Sequence, residues 1–143
     1  MQFVCDAPDG KTWFRIETEA EAVLESEAMK HAVEKYFLRD REKATQSFKP
    51  AQPNSIERYI GLEAHIQRTM PVYLTLRDRE GNALATAMLP PGGRDDHNFQ
   101  MIIVGPGNAD PYPANEHAIR ALGAHFGLRL DRERCYPYGR RRI

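Results

Sequence analysis

Along residues 72–77 apolar and polar side chains take turns. Val72, Leu74 and Leu76 alternate with Tyr73, Thr75 and Arg77, the period of two that marks a half-buried strand. Gly81-Asn82 then supplies two residues that tolerate positive φ, so residues 83–88 read as the returning arm of a hairpin. Residues 101–104, Met-Ile-Ile-Val, are apolar throughout and predict a strand in the interior of the sheet. Near the start of the chain, residues 2–6 and 12–17 flank Pro8-Asp9-Gly10, whose turn chemistry predicts a first hairpin. Its alternation favours Phe14 and Ile16 as the core pair, with Trp13 capping an edge or meeting a helix.

Elsewhere the period lengthens to that of a helix. Thr18-Glu19-Ala20-Glu21 fits the capping box, in which the threonine accepts from the third helical amide and the glutamate reaches back to the cap. From there Ala22, Met29, Val33, Tyr36, Phe37 and Ala44 share one face, while Glu19, Glu25, Glu27, Lys35 and Arg39 fall largely elsewhere. The spacing predicts one long amphipathic helix, its glutamates early and its cations late as the macrodipole favours. Two prolines within residues 49–54 end it. Residues 56–69 fit a helix better than a strand, after a second possible capping box at Asn54, and Pro71 closes them. A last helix spans 115–126, with Ile119, Leu122 and Phe126 on its apolar face and Gly127 placed to stop it.

These elements predict an α+β fold. A mostly antiparallel sheet, two hairpins plus one further strand, packs against one long and one or two shorter helices, with the long and last helices on one face. The other face is expected to be open, lined by Trp13, Tyr73 and Thr75, and could serve self-association into a homo-oligomer. At 143 residues the chain fits one domain, 1–143, with 135–143 as a terminal arm.

Composition narrows the functional classes. Twenty basic residues against twenty acidic ones give no overall field to attract nucleic acid or an acidic membrane. No apolar run approaches a membrane span and the N-terminus has no signal-peptide pattern, which predicts a cytoplasmic protein without a membrane partner. Cys5 and Cys135 are expected as two reduced thiols.

Chemistry has few candidates. Gly105-Pro-Gly-Asn-Ala-Asp110 leaves an apolar strand towards a helix, where open sheets with crossover helices often bind ligands. Gly105 and Gly107 could let the backbone approach a small anion, with Asn108 and Asp110 beside it; the same residues also make an ordinary turn. Arg94-Asp95-Asp96-His97 carries two carboxylates and an imidazole, yet neighbours on an extended chain point apart, and Asp110 or His117 would have to join. The candidate ligand-binding set is therefore Arg94, Asp96, His97, Gly105, Gly107, Asn108, Asp110 and His117. No catalytic set, metal site or cofactor motif is predicted: His-x-His, Cys-x-x-Cys and Gly-x-Ser-x-Gly are all missing. From Ser55 onward the only aliphatic hydroxyls are Ser55, Thr69, Thr75 and Thr86, and Cys135 among arginines is the more plausible nucleophile.

The leading expectation is thus a small non-enzymatic binding or accessory protein. The first alternative is an enzyme with a pocket between the 90–99 and 105–110 loops, using Asp96 or His97 as acid or base. The second is nucleic-acid binding through the arginine-rich stretch from Arg129 to Arg142, with Tyr136 and Tyr138 stacking bases.

Overall fold

A computed structural model describes residues 1–49 and 55–136. One six-stranded sheet runs in chain order through β1 (Gln2–Ala7), β2 (Lys11–Arg15), β3 (Val72–Arg77), β4 (Ala83–Leu89), β5 (Met101–Val104) and β6 (Cys135–Tyr136). Every neighbouring pair is antiparallel except the last. The mostly antiparallel α+β architecture read from the sequence is the one observed. Both hairpins close as their turn residues require. Asp9 and Gly10 take φ of 65° and 73° between β1 and β2, and the Asp78 carboxylate accepts the Glu80 and Asn82 amides between β3 and β4.

The long helix is two helices. α1 (Glu19–Met29) begins on the expected capping box, with Thr18 and Glu21 bonding reciprocally. It stops at Lys30, a lysine held left-handed at φ 54°, and α2 (Val33–Gln46) restarts after it. No glycine or proline marks the break. The replacement caps come from elsewhere: the Glu34 amide donates to Ser26 Oγ of α1 at 2.8 Å, and the Val33 amide to His31 Nδ1 at 3.4 Å. These satisfy donors that the N-cap residue, Ala32, cannot serve. α3 (Ser55–Thr69) is the helix expected there; Asn54, the proposed start of its capping box, lies outside the described residues. α4 (Tyr112–Phe126) starts three residues earlier than its apolar spacing indicates, with Pro113 in its first turn, and ends at a left-handed Gly127 as expected.

The helices do not share a face. α4 covers one side, where Trp13, Val72, Leu74, Leu76, Ala85, Leu89, Met101 and Ile103 meet Ile119 and Leu122. α1, α2 and α3 cover the other, where Ile16 and Tyr73 meet Ala22, Phe37, Ala44 and Ile66. The expectation of both main helices on one side is corrected by the connections. β5 and β6 are parallel, so the chain must cross over between them, and α4 is that crossover, while the α1–α3 run joins β2 to β3 on the opposite side. The three residues assigned to an open face are accordingly buried. Trp13 is fully covered by α4 and its indole N–H donates to the Ala118 carbonyl at 2.8 Å, whereas Tyr73 and Thr75 lie beneath the other helices. Ile16 is core as expected, but Phe14, its proposed partner, is only half-buried, against Phe3.

Candidate functional site

Among the described residues, α1, α2 and α3 leave part of their side of the six-stranded sheet uncovered. Beyond Tyr73 the strands continue as Thr86 and Met88 of β4, registered against Val104 and Ile102 of β5, and Tyr136 of β6 registers with Ile102. Between these strands and the α1–α2 junction lies a cleft of about 670 Å³. Met88, Ile102 and Val104 form its floor, Tyr36 and Arg39 of α2 one wall, and Tyr136 part of the rim. Asn98, Phe99 and Gln100 close the end where the chain returns from β4 to β5. That return is seated on α4: Gly93 takes φ 67° with its backbone against the Phe126 ring, where a Cβ would come within 2.3 Å.

The cleft's inner wall is polar and internally bonded. Glu25, whose side chain is fully buried, accepts from Arg77 at 2.8 Å and from the Thr86 hydroxyl at 2.5 Å. His31 Nε2 lies 2.9 Å from the same hydroxyl oxygen. Thr86 has one proton to give and the carboxylate takes it, so the imidazole must be the donor through Nε2–H. Its other nitrogen accepts from Val33, and both ring nitrogens are occupied in the neutral state. Burial pushes the His31 pKa down, against a smaller opposing pull from Glu25. Residue spacing on a predicted helix placed Glu25 away from the apolar face. It is instead one turn from Ala22 and Met29 on the buried face, held there by a strand arginine that no local pattern reveals.

A second polar group stands at the α2 wall. The Tyr73 hydroxyl donates to Asp40, and burial followed by this bond raises its pKa far above the ordinary phenol range. Arg39 Nε lies 3.6 Å from Asp40, and the guanidinium sits 5.0 Å from the centre of the Tyr36 ring, a cation–π contact.

The residues singled out in the sequence are placed as follows. Arg94, Asp96 and His97 are exposed; Asp96 turns back to accept the Asn98 amide at 2.9 Å. Gly105 is buried, with its amide on the Ala109 carbonyl at 2.7 Å. Gly107 and Asn108 take φ of 63° and 62° in the following turn. Asp110 accepts the Tyr112 amide at 3.0 Å and pairs with Arg132 at 2.7 Å, and His117 is exposed on α4, across the sheet from the cleft. Of the eight, Asn108 lines the cleft, and Asn98 and Phe99 of the 90–99 loop and the following Gln100 line it too.

Other reactive groups are accounted for. Cys5 and Cys135 are unbridged. Cys135 is fully buried and burial pushes its thiol up to about 11, the reverse of what a nucleophile needs. Ser47 lies 2.7 Å from His65 Nε2, a pair no spacing rule anticipates, but it also contacts the Ala44 carbonyl, is exposed, and borders neither cleft. A second hollow of about 710 Å³ lies between α4 and residues 128–133, where Arg120–Glu116, Arg129–Asp131 and Arg129–Glu133 pair with one another along its lining. Among the described residues no group of three or more His, Cys, Asp or Glu could hold a metal ion, and no helix is long and apolar enough to cross a membrane. No family model, no curated protein and no solved structure matches the chain.

Proposed function

We propose that this chain is a small non-enzymatic binding protein, and that the cleft between the α1–α2 junction and β4–β6 is where it takes a compact, largely apolar ligand. One observation carries the reading: the floor is apolar and only partly covered by the described residues, and the polar groups behind it are already committed to one another. Thr86 gives its proton to Glu25, both His31 nitrogens are used, and Tyr73 is bonded to Asp40. A general base or nucleophile would need one of these groups free. The volume falls within the range of small-molecule sites. The reading goes with a cytoplasmic location, in which two unbridged cysteines stay reduced.

The test is a thermal-shift screen of the full chain against small aromatic and aliphatic metabolites, repeated with Ile102→Trp, which fills the floor. Stabilisation of the native chain that disappears in the variant supports the reading. Turnover of any compound, abolished by Ser47→Ala or His97→Ala, overturns it in favour of an enzyme. The enzyme alternative draws on the shared lining by the 90–99 and 105–110 loops. Nucleic-acid binding through the basic stretch is disfavoured by pairing: Arg129, Arg132 and Arg134 face Asp131, Asp110 and Asp95 at 2.6–2.7 Å. Residues 137–143 lie outside the described residues; steeply salt-dependent retention on a polyanion column, lost on truncation after Tyr138, would restore that alternative.

A further inference from the structure

Accepting the cleft as a binding site, we propose that its ligand is a small monocarboxylic acid with an aromatic or branched apolar body, the carboxylate seated on Arg39 and the body on the β4–β5 floor. Among the described residues that line the cleft, Arg39 alone carries a formal charge; the remaining polar groups are neutral hydroxyls, carboxamides and the neutral His31. No carboxylate is among these described lining residues. Glu25 is turned to Arg77 and Thr86, and Asp40 accepts from Tyr73 while pairing with Arg39 Nε at 3.6 Å.

Arg39 is poised for an anion. Its side chain is 54% exposed, and its ion pair with Asp40 is a long one, with Nε at 3.6 Å. The cation–π contact with Tyr36, 5.0 Å from guanidinium to ring centre, holds Arg39 at the cleft wall, and an arginine's terminal N–H pair is the edge that binds carboxylates in bidentate fashion. A single arginine beside an aspartate matches one negative charge and opposes a second, which separates a carboxylate from a phosphate monoester. Among the described residues, Tyr36 and Tyr136 keep large side chains exposed at 45% and 38%, and both border this cleft, adding aromatic surface to its lining. Met88 on the floor is unbranched and can adjust to the body's shape.

The experiment titrates the full chain with three probes that share one ring system and differ in charge: indole-3-acetate, indole-3-acetamide and tryptamine. Binding is followed by calorimetry, with Arg39→Gln and Ile102→Trp alongside the native chain. The acetate is expected to bind about tenfold or more tighter than the acetamide, the size of one charge-assisted contact. Tryptamine should bind no better than the acetamide. Arg39→Gln should abolish the preference for the acetate over the acetamide, and Ile102→Trp should remove binding of all three. Equal affinity for the three probes that Ile102→Trp still abolishes would overturn the carboxylate assignment and leave the binding site standing. Tighter binding of tryptamine, or a preference that survives Arg39→Gln, would overturn it too. If none of the probes binds the native chain, or binding persists in Ile102→Trp, the cleft itself is refuted as a site and the assignment falls with it.

Discussion

The two faces of the sheet are built from the same strands and finished differently. On the α4 side, Trp13, Leu74, Leu76, Leu89, Ile103 and Leu122 are sealed to within 2% of full burial, and the indole N–H finds the Ala118 carbonyl. On the other side three helices cover β2, β3 and part of β4, leaving Met88 and Ile102 half-buried beside an Arg77–Glu25–Thr86–His31 chain whose two inner members are buried. A dry, close-packed face supplies stability and little else. An incompletely covered face backed by a satisfied polar network keeps a hollow in shape without filling it, and that is what a binding site requires.

The largest effect should come from the sealed face. Trp13→Ala removes a fully buried ring and should cost roughly 3–5 kcal/mol, whereas Met88→Ala on the cleft floor should cost about 1 kcal/mol. Urea unfolding of the two variants measures the contrast, and equal losses would erase the distinction between the faces. Next comes the network. Glu25→Ala leaves Arg77, only 18% exposed, without its anion and Thr86 without an acceptor, and should cost roughly 3 kcal/mol. Adding Arg77→Met should recover part of it; no recovery would mean that Glu25 acts through packing rather than charge.

A smaller effect depends on pH. Burial favours the neutral His31 ring, so below its ordinary value of about 6.5 the unfolded chain takes up a proton that the folded chain resists. The stability tied to His31 is therefore complete above that pH and declines as the solution is acidified through the depressed folded value. Melting curves of native chain and His31→Gln between pH 7.5 and 5, a range chosen to span about 6.5, should diverge, the variant losing less; parallel curves would show that the ring titrates as it does in water. The smallest change should be Arg39→Gln in the absence of ligand, within about 0.5 kcal/mol, because the side chain is largely solvated. A larger loss would make Arg39 part of the framework.

Much of the architecture was legible because its signals are local. Asp9, Gly10 and Gly81 close hairpins through their own φ preferences, Thr18 and Glu21 cap a helix through bonds three residues apart, and Gly127 ends one by turning left-handed. The break at Lys30 was not legible, since the groups that cap α2, Ser26 and His31, look like any polar residues until the helices fold back on each other. The eight candidate residues stand out in the sequence for their chemistry and loop position. The cleft was formed instead mainly by ordinary-looking Met88, Ile102, Tyr36 and Arg39, whose only distinction is what fails to cover them.

Turns, caps and the two- and four-residue rhythms belong to the sequence itself, because each is an interaction between a side chain and backbone within a few residues of it. Which face each helix takes, that Glu25 is buried and Met88 is not, and that a hollow opens beside the α1–α2 junction were decided only in three dimensions. The physical reason is that coverage of a sheet depends on the path of its crossovers and on how far the helices reach across the strands, quantities set by contacts such as Glu25 with Arg77, 52 residues apart in the chain.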